Sequence, residues 1–185
     1  RYPEQWFLEA TFDDLLEWNR WWPNARMNEG LLSYGSSPAG NPFNVPVFET
    51  ITAAGYGSGM DDSAMYVGVP FNRDKHTLEL QDVGLNSLYI AVCQALAEMA
   101  GIIDRNDEKL ELLKRAKEFS YAMEKVWDNN FGAYLNYRTD VDSLSKRVSP
   151  TMFYPLLAEL GYKGRADHIV QHFYDPKEFY GDWML

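Results

Sequence analysis

Five stretches of this chain repeat apolar residues at every third or fourth position. That period belongs to a helix laid against a core, and it constrains the fold more than any other feature. Over residues 4 to 22 the repeat is Leu8, Phe12, Leu15, Trp18 and Trp22, and Pro23 is expected to stop it. A second helix is predicted over residues 83 to 99 through Leu85, Leu88, Val92, Leu96 and Met99, with Gly101 placed to cap its end. A third covers residues 107 to 127 through Leu110, Leu113, Ala116, Phe119, Met123 and Trp127. The fourth opens with Ser149 as N-cap and Pro150 in the first turn, carries Phe153, Leu156, Leu157 and Leu160, bends at Pro155 and closes at Gly161. The fifth spans residues 166 to 173 and ends before Pro176. Short turns at 101 to 106 and 161 to 164 make these an antiparallel array, and no run alternates as a strand does, so an all-α chain is expected. The helices share no short repeat, which excludes TPR and HEAT solenoids.

Composition narrows the function. The chain has 185 residues, enough for one domain with a sizeable core, and its 46% hydrophobic and 24% charged residues are those of an ordinary globular protein. Its 27 acidic residues against 17 Lys and Arg give a net charge of -10, a field that repels phosphate backbones and anionic lipid. No nucleic-acid partner is expected, and no run of apolar residues predicts a membrane span. A single cysteine, Cys93, excludes an internal disulfide and a multi-cysteine zinc site. Aromatic residues reach 15%, with 6 Trp and 12 Tyr, which suits a sugar-stacking cleft or an aromatic core. The chain opens on Arg1 and stops at Asp182-Trp183-Met184-Leu185 without a polar tail, as an excerpt of a longer protein would.

Residues 23 to 74 break the helical pattern, holding 7 of the 13 glycines and 5 of the 9 prolines. Loops that long in a compact domain usually carry function. Their densest polar cluster is Gly55-Tyr56-Gly57-Ser58-Gly59-Met60-Asp61-Asp62-Ser63. Its glycines allow close approach of a ligand to the backbone, and one of the two adjacent carboxylates could face a cleft as a general acid while the other caps a short helix at 63 to 67. Taken alone, the loop favours the plainer reading, that both are loop and cap residues.

Ser58-Gly59-Met60-Asp61-Asp62-Ser63, followed by His76-Thr77-Leu78-Glu79-Leu80-Gln81-Asp82-Val83-Gly84-Leu85-Asn86-Ser87-Leu88, resembles glycoside hydrolase family 63. Gly30-Leu31-Leu32-Ser33-Tyr34-Gly35-Ser36 upstream and Val126-Trp127-Asp128 with Gly132-Ala133-Tyr134 downstream are similar to further blocks of that family, in the same order along nearly the whole chain. The resemblance implies part of an (α/α)6 barrel whose mouth holds an inverting α-glycosidase site acting on α-glucosides, α-mannosides or glycerate conjugates. Asp61 would be the general acid, with Asp62 orienting it or binding a hydroxyl. Inversion needs a second carboxylate roughly 6.5 to 9.5 Å from the first to activate water. The family takes it from a late Glu, which would lie outside these residues, as would the other half of the barrel. Many relatives have Glu where this chain has Gly57. Some bind calcium before the Tyr-Gly block, but Asn24-Ala25-Arg26-Met27-Asn28-Glu29 offers one carboxylate and an arginine, so no cofactor is expected.

Other residues carry two readings each. Asp82 could accept sugar hydroxyls or cap the second helix, and its family position favours the cleft. Tyr34, Gly35, Ser58 and Trp183 are candidate sugar contacts, although Tyr34 and Trp183 could also be packing. Asp140 and Asp142 have a cation-loop spacing but suit a solvated turn. His168 and His172 lie four apart on a helix without a third ligand, a surface pair rather than a zinc site, and His76 is isolated. Two further functions remain open: a carbohydrate-binding or interaction protein on a degenerate half-barrel, and, ranked last, a sugar epimerase. A half-ring of helices should also expose apolar faces and self-associate.

Overall fold

The computed structural model describes residues 4–36, 51–60, 62–162 and 164–181. Among these residues five α-helices carry the fold: α1 Gln5–Arg26, α2 Ile51–Tyr56, α3 Val83–Ile102, α4 Asn106–Met123 and α5 Arg165–Phe173. Between them, among the described residues, run nine strands of two residues each, paired antiparallel. β1 (Met27–Asn28) pairs β2 (Leu31–Leu32), and β3 (Phe71–Asn72) pairs β4 (Thr77–Leu78). β5 (Leu80–Gln81), β8 (Tyr137–Arg138) and β9 (Ser143–Leu144) form the one three-stranded ladder among the described residues, and β6 (Trp127–Asp128) pairs β7 (Ala133–Tyr134). Strands this short cannot show an alternating pattern, which is why the sequence did not reveal them.

The helix α3 is the axis of the molecule. Val83, Leu85, Tyr89, Ile90 and Cys93 sit in a core with Leu31 and Leu32 of β2, Phe119 and Met123 of α4, Tyr134 of β7 and Ile169 of α5. Farther along, Leu96, Ala97 and Ala100 meet Phe12 and Leu16 of α1 and Leu112 of α4. By length and hydropathy α3 could cross a membrane, but half of its most apolar window is buried against these neighbours. That is the composition of a helix wrapped on several sides rather than on one stripe.

The helices depart from the sequence reading at four places. Pro23 lies inside α1, whose last turn continues to Arg26. A proline removes the N–H that would serve the carbonyl four residues back. Here the Tyr89 hydroxyl donates to that carbonyl, Asn19 O, at 3.0 Å, so the helix passes through the proline with its acceptor satisfied. Gly101 lies inside α3, and the reversal falls at Asp104 (φ 59), where Arg105 N–H reaches back to Ala100 O at 2.8 Å. The predicted fourth helix is a 3₁₀ segment, Pro150–Leu156, because Pro155 inside it cannot join an α ladder. Similarly, α4 gives way to a 3₁₀ turn at Glu124–Val126, and Trp127 begins β6.

Polar contacts fix the helices against one another. The side chain of Asn19, fully buried on α1, donates to Cys93 Sγ at 3.3 Å and accepts from Arg115 of α4 at 2.5 Å. Arg20 grips Glu111 through two nitrogens, at 2.9 and 2.5 Å, and with Arg115 draws that carboxyl down to about 2. At the other end, Arg165 of α5 forms a two-pronged pair with Glu124 at 2.8 and 2.9 Å, lies 4.5 Å over the Trp127 ring and donates to the Tyr134 hydroxyl.

Candidate active site

The acidic loop leaves α2 through a turn that its own residues build. Ser58 N–H and Oγ both donate to Gly55 O, at 2.9 and 2.6 Å, and Ser58 Oγ accepts from Met60 N–H at 3.0 Å. Gly59 adopts φ 66, a conformation that glycine enters without strain. Met60 then packs against the cluster of Ala54, Met65 and Val69. The Ser58 hydroxyl is thus committed to the turn that presents the loop. The helix expected at 63 to 67 is a single 3₁₀ turn, Ala64–Tyr66, and its cap is Ser63, whose hydroxyl accepts from Met65 N–H. Asp62 stands exposed beside a groove of about 460 Å³ that it shares with Thr52, Tyr56, Ser63 and Tyr66. Asp61 and Trp183 lie outside the described residues.

Tyr34 and Gly35 are positioned by backbone. Tyr34 O accepts from Leu78 N–H at 2.8 Å, and Gly35 bridges to Thr77. A methyl group on Gly35 would stand 2.2 Å from His76 O, so only glycine lets these two segments cross. The segment leading to Tyr34 is held by Asn86 on the first turn of α3. Its amide pairs with Leu32 as a strand would, accepting from Leu32 N–H at 2.8 Å and donating to Leu32 O at 2.9 Å. The sequence reading quoted Asn86 within the block around Asp82 but gave it no role.

Asp82 is the N-cap of α3, with Oδ1 accepting from Leu85 N–H at 2.8 Å. The residue is 1% exposed, and Oδ2, equally buried, has no partner. Burial outweighs the helix N–H groups and pushes the carboxyl up to about 6. Burial together with the Asp82 charge, and then Tyr154, drives the Tyr34 phenol upward as well.

A cavity of about 150 Å³ opens between α1, the first half of α3 and the acidic loop. Trp18, Trp22, Tyr34, Gly57, Leu85, Leu88, Tyr89 and Val92 line it. Trp22 meets Trp18 edge-on at 5.6 Å and Tyr34 at 6.4 Å. Of the predicted site residues that are described, this cavity gathers only Tyr34, together with Gly57 of the loop, while Asp62 faces the other groove and Asp82 lies beneath the surface. The sequence had placed Trp18, Trp22, Leu85, Leu88 and Val92 on helix stripes without showing that two stripes leave a gap.

The remaining candidates have other partners. Asn28 Oδ1 accepts from Lys75, Asn28 O from Gln81, and Glu29 O from Lys125, so amino and amide groups occupy oxygens of the loop considered for calcium. Asp140 is paired twice with Arg138 at 2.6 Å, and the Tyr137 hydroxyl donates to Asp142 in a turn at φ 50. His172 is engaged at both nitrogens, by Glu178 at 2.6 Å and Phe131 O at 2.8 Å. Among the described residues no three His, Cys, Asp or Glu side chains converge on a metal-sized site.

The packing of α3 against α1, α4 and α5 is that of part of an (α/α)6 toroid. The chain belongs to the MGH1-like family: residues 2–185 match the mannosylglycerate hydrolase MGH1-like glycoside hydrolase domain. The fold is that of an uncharacterized conserved protein from Thermus thermophilus, at TM-score 0.70 and 17% identity over 91% of this chain and 48% of that one. It is also that of the GH63 mannosylglycerate hydrolase of the same organism. The complex of that enzyme with glucose gives TM-score 0.69 at 19% identity, over 91% of this chain and 45% of the other. Its complex with Tris gives 0.68 at 18%, over 91% and 48%. The chain thus spans less than half the length of these solved proteins. No curated protein matches it.

Proposed function

We propose that this domain belongs to an enzyme that hydrolyses α-glycosidic bonds with inversion, with Asp61 as the general acid. The observation that carries the reading is the family match over residues 2–185; Asp61 is taken as the acid because the Ser58-Gly59-Met60-Asp61 block resembles the family's acid motif. The structure supports it by holding the residues around Asp61 in a turn built by Ser58 and Gly59, next to an aromatic cavity. Asp61, protonated at rest, gives its proton to the departing glycosidic oxygen, while a Glu from outside these 185 residues activates the water on the opposite face of the sugar. The substrates are α-glucosides, α-mannosides or glycerate conjugates, in keeping with the mannosylglycerate hydrolase activity named for the Thermus relative. Asp62 orients the acid or takes a sugar hydroxyl. Asp82, with its cap role and burial, acts on Tyr34 and the start of α3 rather than on sugar directly.

The test is Asp61→Asn in the full-length polypeptide. Hydrolysis should fall by at least about a hundredfold, the usual size of a general-acid contribution, with the circular dichroism spectrum unchanged. A well-folded variant that keeps its rate would remove Asp61 from the role.

A further inference from the structure

Among the described residues one arginine is buried, Arg26 at the end of α1, and no carboxylate among them pairs with it. It is 7% exposed, and of its nitrogens Nη1 alone finds an acceptor there, the carbonyl of Ala25 at 3.0 Å. The guanidinium lies 4.8 Å over the Trp21 ring, a contact that covers a face of the plane and leaves the donors on its rim free. Burial lowers its pKa, with no charged group beside it to oppose the shift. By contrast Arg20, Arg105, Arg115, Arg138 and Arg165, all more exposed, each hold a carboxylate. In a chain with 27 acidic residues against 17 Lys and Arg, an acid for Arg26 was readily to hand, and a buried cation without one is costly. The surroundings hold unmet polar groups as well. Gly35 bridges to Thr77 next to the guanidinium, so that a methyl group on Gly35 would stand 3.1 Å from Arg26 Nε. At this crossing Ser36 Oγ, His76 Nδ1 and Thr77 Oγ1 are buried, and none has a partner among the described residues. Folded proteins pair nearly all their buried polar groups, so this gathering around an unpaired cation suits a polar ligand better than a core.

We infer that Arg26 is a carboxylate-binding residue and that its ligand is the acid end of the substrate, the glycerate of a glycosyl glycerate. A guanidinium presents paired N–H groups in one plane, which a carboxylate accepts side by side, whereas a neutral sugar brings no charge to offset the buried cation. Only the choice of glycerate rests on the glycosidase reading. The carboxylate site itself rests on the unpaired guanidinium and on the polar groups at the crossing of Gly35 with Thr77.

An α-mannosyl or α-glucosyl glycerate and the matching glycosyl glycerol differ only in a carboxylate against a hydroxymethyl group. With the full-length polypeptide, kcat/KM should favour the glycerate by about tenfold or more, the scale of a hydrogen bond to a charged group. Arg26→Met should bring that ratio close to one, and Arg26→Lys, which keeps the charge without the fork, should retain part of it. Glycerate alone should raise the thermal midpoint of the wild type but not of Arg26→Met, and glycerol at the same concentration should raise neither. Without glycerate, Arg26→Met should unfold no more easily than the wild type, because it removes a buried charge that no acid offsets. A wild-type midpoint unmoved by glycerate, with Arg26→Met clearly destabilised, would mean that the rest of the polypeptide supplies the carboxylate, and would overturn the inference. Hydrolysis of both glycosides at a ratio that Arg26→Met leaves unchanged would also overturn it, with the glycosidase reading left standing. Glycerate binding that is lost in Arg26→Met, without hydrolysis of any α-glycoside by the wild type, would overturn the glycosidase reading and leave the carboxylate site.

Discussion

Asp82 shows how one carboxylate can serve structure at a cost that depends on pH. Its Oδ1 caps α3 while Oδ2 lies buried without a partner, and burial raises the group from the ordinary 3.8 to about 6. Between those values the native state holds a proton that the unfolded chain has released, so stability falls as pH rises through that window. A shift of this size amounts to about 3 kcal/mol between pH near 4 and pH near 7. Asp82→Asn keeps the capping oxygen and removes the ionisation. Urea unfolding should show the wild type losing up to that amount relative to the variant across the window, and a constant difference would contradict the assignment. Residue identity alone left Asp82 divided between cap and cleft, because both roles place an acid before a helix. The orphaned oxygen is a property of packing by residues distant in sequence, which no local pattern carries.

At the scale of elements, helix period was legible wherever one helix packs on a core through a run of apolar residues. It placed α3, α4 and α5 nearly as they stand. It failed where tertiary partners override a local signal. Pro23 reads as a stop because a proline in mid-helix costs about 3 kcal/mol, yet Tyr89, far along the chain on α3, supplies the donor it removes. Tyr89→Phe should therefore leave Asn19 O unpaired and cost about 1 to 3 kcal/mol in thermal or urea unfolding. The same substitution in a Pro23→Ala background should cost less, because the restored N–H can serve that carbonyl, and equal costs would contradict the pairing. The two-residue hairpins and the 3₁₀ segment around Pro155 escaped the sequence reading for the opposite reason. They are too short, or too interrupted, for any period to build up.

The whole molecule is an axial helix with partial cover. Trp6, Trp18, Trp21, Leu88, Leu110 and Leu157 are exposed, and the chain spans less than half of the solved proteins that share its fold. The all-α class and the family were legible from residues, the first through periodicity and the second through the ordered blocks around Ser58–Asp62 and His76–Leu88. The candidate site was legible in part. The sequence marked the loop and Tyr34, whereas the aromatic cavity depends on α1 and α3 meeting at a distance that no single stripe encodes. The central claim, inversion at an α-glycosidic bond, is tested most directly by proton NMR of the first sugar released from an α-glycoside by the full-length polypeptide. The β-anomer should appear first and then mutarotate, whereas initial release of the α-anomer would mean retention and contradict the account.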